Sequence, residues 1–296
     1  MSTASLSRCP IEDVLPWLCT TQRPGANAAD EDNTILIADR VQTSGRFLLF
    51  VTAANAHRNQ QGVLWLSFSG AYTIELMKQG LKKMGCLVAG NGPRTATANE
   101  NLSSCTFTDA TQRLTMRAVA QEMAEAIISQ GPSNFDAESF VRSLYRQVDE
   151  WLQKQEAPCF VLLDDVSALA DLVGPRLAYA LVYQIRARRS GQIRLLVRCA
   201  GDYSAEAAST DEHEWIGAGG ENNHTTTAPR GWESCLVELV DLTVDVLPLQ
   251  SGYSREAHGR LLLTPHMKAS GIPTRCNYCS TDQAFFAIRL TNKNLR

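Results

Sequence analysis

Two periods of apolar and polar positions alternate along this chain. Thr34–Ala38, Val63–Phe68, Ile193–Val197 and the continuous apolar run Cys159–Leu163 have the length and hydrophobicity of buried strands. Segments with a helical repeat lie between them. Arg46 to about His57 reads as an apolar helix. Ile74, Met77, Leu81 and Met84 recur at spacings of three and four, with Lys78, Lys82 and Lys83 turned away and Gly85 placed to cap. Met116–Ile128 and Phe140–Leu152 predict two more helices. Gly174-Pro175 opens another that runs to about Arg189, with Leu177, Leu181 and Ile185 facing inward. Thr106–Thr108 predicts a short strand. Strands alternating with helices predict a mostly parallel sheet.

The pattern changes towards the C-terminus. Leu236–Leu247, Arg260–Leu263 and Phe285–Leu290 read as strands with no long helix between them, which predicts an antiparallel extension of the sheet. The expected fold is a three-layer α/β/α arrangement with a mostly parallel central sheet, extended by these antiparallel strands. Asn91–Ser104 reads as a polar loop. Asp202–Arg230 is rich in Gly, Ala, Thr, Asn and acidic residues and predicts a disordered insertion. Before Thr34, apolar residues at Ile11, Val14, Leu15 and Leu18 predict a short helix interrupted by Pro16, then a polar linker over Pro24–Asn33. Residues 1–33 are therefore an N-terminal helix and linker, and 34–296 one α/β domain carrying the insertion at 202–230.

Composition narrows the function classes. With 296 residues, 44% of them apolar, the chain is long enough to bury a full core. A net charge of -3 excludes a protein that is basic overall, so contact with nucleic acid would need a local patch or a partner. No apolar run approaches the roughly 18 residues of a membrane span, and Met1–Pro10 carries no signal-peptide core. The nine cysteines are odd in number, and Cys159 and Cys199 sit inside apolar runs, as free buried thiols in a reducing compartment do. The expected location is the cytosol, with the nucleus as a second one.

The strand, turn and helix at Ile35–Ala54 stand where a phosphate-binding P-loop, G-x-x-x-x-G-K-[ST], would lie. With its second glycine placed on Gly45, the first becomes Arg40, the lysine Arg46, and the Mg²⁺-binding hydroxyl Phe47. Phe cannot ligate a cation that takes oxygen ligands. What remains is a degenerate loop of Thr43, Ser44, Gly45 and Arg46, able to touch phosphate weakly at a helix N-terminus. The plain alternative is an ordinary turn with a capping hydroxyl. Asp164 ends an apolar strand as the acidic motif of such NTPases does, and Asp165 stands where a catalytic acid could. The plain alternative there is an aspartate capping the next helix.

Other motifs are weaker. Cys276 and Cys279 form a single CxxC pair with no second pair, so no metal site is expected. The five histidines and Ser67, Ser69 and Gly70 form no nucleophile arrangement. No catalytic set, cofactor or metal is expected. Arg186, Arg188 and Arg189, with Arg194 and Arg198 nearby, are the denser of two basic clusters. They are candidates for RNA contact, or simply complement a helix C-terminus.

Taken together, four stretches resemble the family of the sixth subunit of the Elongator complex: Ile35–Asp39 with Thr43-Ser44-Gly45 and Phe47-Leu48-Leu49; Val63–Gly85, with Ser67-Phe68-Ser69 and Lys82-Lys83-Met84-Gly85; Val161–Leu169; and His258–Leu261 with Phe285-Phe286. The resemblance spans about Thr34–Leu290. It implies a RecA-like fold without conventional nucleotide motifs. It implies a hetero-hexameric ring with two copies each of the fourth and fifth Elongator subunits, associated with the catalytic Elongator core. The ring binds tRNA and supports wobble-uridine modification. The alternatives are a RecA- or circadian-clock-type NTPase and a stand-alone RNA-binding module.

Overall fold

In the computed structural model, residues 7–10, 34–39, 43–86, 105–155, 158–188, 193–200, 232–249, 258–266, 274–280 and 285–289 are described. The N-terminal helix and linker expected over 11–33 and the insertion at 202–230 lie outside them. The strands are β1 (Ser7–Pro10), β2 (Thr34–Asp39), β3 (Gly62–Ser67), β4 (Thr106–Thr108), β5 (Leu114–Ala118), β6 (Cys159–Asp164), β7 (Ile193–Ala200), β8 (Leu242–Leu247), β9 (Gly259–Pro265), β10 (Thr274–Ser280) and β11 (Phe285–Arg289). The helices are α1 (Arg46–Arg58), α2 (Ile74–Lys83), α3 (Val119–Gln130), α4 (Ala137–Lys154), α5 (Val166–Val173), α6 (Pro175–Ala187) and α7 (Trp232–Val237).

All eleven strands join one sheet in the order β1-β11-β10-β9-β8-β2-β7-β6-β3-β5-β4. The six strands from β8 to β5 run parallel. β4 closes one edge antiparallel, and β9, β10, β11 and β1 extend the other edge antiparallel. One apolar cluster joins β2, β3 and β6 to α1 and α2; a second, on the opposite face, joins the alternate strand positions to α3–α7. The architecture is the three-layer, mostly parallel α/β fold expected, with its antiparallel C-terminal strands.

Several elements differ from the sequence reading. Residues 114–118 form β5, because a five-residue strand runs directly into α3 and the joined segment keeps one apolar rhythm. The start of Leu236–Leu247 closes α7 before the strand begins at Leu242. Cys276 and Cys279 lie within β10, not between strands. Ser7–Pro10, in the segment read as helix and linker, pairs with β11.

Helix ends follow the local chemistry. Thr73 accepts from the Leu76 amide, and Gly85 leaves α2 at φ +72°, a conformation glycine adopts without strain. Asp136 accepts from the Glu138 and Ser139 amides to start α4. No helix among the described residues is long and apolar enough to cross a membrane.

Gly80, inside α2, faces the Phe50 ring, which is itself edge-on to Trp65 with centroids 4.8 Å apart. A Cβ at Gly80 would lie 2.2 Å from Phe50 Cε1. Glycine to alanine in an exposed helix gains about 1 kcal/mol; here overpacking reverses the sign. Gly80→Ala should lower unfolding stability in urea by about 1–3 kcal/mol, and a stabilised variant would contradict this packing.

Candidate functional site

Three places in the parallel sheet have neighbouring strands whose following helices cover opposite faces: β2 beside β7, β3 beside β6, and β3 beside β5. Ligands of open α/β sheets settle outside the strands' C-terminal ends at such switch points. Here those ends carry Asp39 on β2, Arg198 on β7, Asp164 on β6 and Ser67 on β3. The register sets Asp164 opposite both Arg198 and Ser67.

Arg198 stands between the two acid-ended strands and bonds to both. Its Nε and Nη2 reach Asp39 Oδ2 at 2.8 and 2.7 Å, and Nη1 reaches Asp164 Oδ1 at 2.7 Å. Nη1 also lies 3.9 Å from Asp165 Oδ2. A second guanidinium enters from the helix side: Arg46 Nε donates to Asp164 Oδ2 at 2.9 Å, with the guanidinium 3.9 Å from the centre of the Tyr72 ring. Side-chain exposure is 6% for Arg198, 2% for Asp39, 0% for Asp164 and 17% for Arg46, so the pairs are shielded from water. Ser67 Oγ, 3.5 Å from Asp164 Oδ2, completes the ring of contacts.

The P-loop positions take structural duties in this network. The Gly45 amide donates to Asp39 Oδ2 at 3.0 Å. A Cβ on Gly45 would come within 2.4 Å of Ile37 Cγ2 and 3.0 Å of Val246 Cγ2, so close packing requires glycine here. Thr43 is buried and its hydroxyl donates to the Val246 carbonyl at 2.7 Å. Ser44 is exposed and its hydroxyl accepts from the Arg46 amide at 3.3 Å. Phe47 packs against the core. Arg40 lies outside the described residues.

Three carboxylates, Asp39, Asp164 and Asp165, thus meet two guanidinium groups. Burial raises the Asp39 carboxyl above its ordinary value, against the pull of Arg198 and the Gly45 amide. Burial raises Asp165 likewise, again opposed by Arg198. Arg198 is itself pushed up: burial alone would lower it, but Asp164, Asp39 and Asp165 outweigh that. Asp39 Oδ1 is buried with no hydrogen-bond partner. Asp165 is left-handed at φ +70°, which aspartate tolerates better than most residues, and its side chain accepts from the Ala168 amide to cap α5.

The arginine candidates separate. Arg198 and Arg194 lie in β7, both buried, Arg194 over the Phe160 ring. Arg186 sits 3.8 Å from Asp241, and Arg188 is held by Asp149, with Nη2 to Oδ2 at 2.7 Å. Asp241 also accepts from the Thr34 amide at the start of β2, so this pair occupies the opposite end of the strands from Asp39 and Asp164. Arg189 lies outside the described residues. Sequence reading placed Arg198 near the basic cluster and gave Asp39 no role in a site. The available signal for Arg198 was an arginine directly continuing the apolar run Ile193–Val197. Cys86, Cys105, Cys159, Cys199 and Cys235 are in no disulfide; burial pushes Cys159 up to about 12, far from a reactive thiolate. No group of metal-ligating side chains occurs among the described residues. No protein-family model and no curated protein matches this chain.

Asp165 offers a test of the electrostatics. A carboxyl raised in the folded state favours folding below its ordinary value and loses that contribution as pH rises through the raised one. Asp165→Asn keeps a capping oxygen and a residue suited to the left-handed conformation while removing the desolvated charge. It should be at least as stable as the native chain at pH 7, with the difference closing below the ordinary aspartate range. Urea unfolding across pH 3–8 checks this; a variant weaker at pH 7 and equal at pH 3 would refute it.

Proposed function

We propose that this chain is a non-catalytic subunit of the Elongator complex. In this reading it forms a hetero-hexameric, RecA-like ring with two copies each of the fourth and fifth subunits. The ring binds tRNA and supports wobble-uridine modification carried out by the catalytic core. Support comes from the order of the resembling stretches, from the three-layer parallel fold, and above all from Arg198. A nucleotide site at this edge needs Asp164 free to hold Mg²⁺ and a lysine and hydroxyl on the helix for phosphates. Here Asp164 has two protein guanidinium groups on it, and Phe47 replaces the hydroxyl. The positive charge that metal would bring is built into the chain. This edge then serves as a fixed joint of the sheet rather than a reaction centre.

The competing reading is an NTPase with Arg46 in place of the lysine and Asp164 on the metal. It requires Arg198 and Arg46 to release Asp164 on binding. A ligand present at a hundred times its dissociation constant stabilises a fold by about 2.7 kcal/mol. We expect millimolar Mg·ATP to leave the melting temperature of the chain unchanged; a clear upward shift would favour the NTPase. Affinity capture from cells followed by native mass spectrometry tests the assembly. The expected result is a particle containing two other RecA-like subunits in equal copy number. A stable monomer or homo-oligomer would overturn the ring.

A further inference from the structure

We propose that the outer face of α6 is a contact surface for unpaired RNA, with Tyr183 as its base-stacking platform. The inference deepens the tRNA-binding reading above and rests on it for the choice of RNA. Arg176, Tyr179, Tyr183 and Arg186 recur at spacings of three, four and three, so they share one face of the helix. Tyr183 is 52% exposed, one of four large apolar side chains on the described surface exposed beyond 40%. Its ring stacks on Tyr179 with centroids 6.4 Å apart and planes 15° apart, which holds both rings in place beside solvent. An ordered aromatic ring at the surface presents a π face to any base at little cost in side-chain entropy.

Charge on this face is one-sided along the helix itself. The segment Pro175–Ala187 contains no acidic residue, and Arg188 and Arg189 follow it directly. Arg176 is exposed and makes no ion pair among the described residues. Arg186 is only loosely engaged by Asp241 at 3.8 Å, and its Nε is buried without a hydrogen-bond partner, so it lies under this face and not on it. The carboxylates that face this helix from neighbouring elements are Asp149, which holds Arg188, together with Glu238 and Asp241 beside Tyr179 and Arg186. They leave Arg176, exposed and on the same helix face as the tyrosine pair, as the cation open to solvent. A phosphate next to a base stacked on Tyr183 would meet that guanidinium.

The test uses the full chain, alone and with the proteins that co-purify with it, and a short fluorescent oligouridine as probe. Tyr183→Ala should weaken binding by about tenfold, the order of one stacked base. Tyr183→Phe, which keeps the ring, should bind as the native chain does. Arg176→Gln should flatten the salt dependence of log K by roughly 0.7. Native affinity in Tyr183→Ala, or no oligouridine binding by the native chain in either form, overturns the proposal. If Tyr183→Ala instead releases a co-purifying protein while RNA affinity is kept, the face docks protein and the RNA surface is refuted. Loss of RNA affinity in Tyr183→Ala with no ring in the native preparation would sustain this surface while removing the ring.

Discussion

The placement of one buried cation, Arg198, governs how the parallel sheet ends. Taking a guanidinium out of water costs several kcal/mol even after relaxation, and good geometry with several carboxylate bonds is required to offset it. Arg198 has that geometry: two strands on either side of β7 each end in an aspartate at hydrogen-bond distance. Removing Arg198 would leave Asp39 and Asp164 as uncompensated buried charge, which costs about 3–5 kcal/mol. The same pairs tie β2, β7 and β6 at their C-terminal ends, and the Gly45 amide and Arg46 extend the tie to α1. Local requirements follow from it. Gly45 must be glycine for the turn to pack on Ile37 while donating to Asp39, and Arg46 must lie over Tyr72 to reach Asp164.

A buried ionic network of this kind is not a source of large net stability, since well-packed apolar residues of similar volume often do as well. Its raised Asp39 and Asp165 carboxyls point the same way, because burial disfavours their charged forms more than Arg198 restores them. Asp39 Oδ1, buried and unpartnered, adds to that cost. An arrangement with these costs makes physical sense as a geometric specification. It fixes the angle at which α1 leaves β2 and fills, with protein atoms, the crevice in which open α/β sheets commonly hold ligands.

The sequence made the strand–helix alternation legible because each apolar run was long, unbroken and bounded by polar turns. Val63–Phe68 and Cys159–Leu163 are read directly as buried strands by that signal. It fails where elements are short or abut. β5 passes without a turn into α3, so its residues join the helix rhythm, and β10 is too polar to announce itself. The candidate site was half legible. A failed P-loop and an acid at a strand end can be seen in one dimension. The partner of that acid cannot, because β7 follows β6 in sequence yet lies between β6 and β2 in space. Only the crossover brings Arg198, 159 residues from Asp39, into its carboxylate.

The same topology divides the molecule into two chemically different ends. At the C-terminal ends of the strands, charges are buried, paired with one another and held by protein. At the N-terminal ends, Asp241 receives the Thr34 amide and only loosely engages Arg186. On α6, Arg176 and Tyr183 are exposed while Arg186 is largely covered. The open aromatic and cationic side chains of this helix therefore lie on its outer face, away from the ion pairs at the strands' C-terminal ends. Fold alone does not set where a chain places its arginines: here Arg46 and Arg198 are sealed against aspartates at the sheet's end, and Arg176 is left on a helix facing solvent.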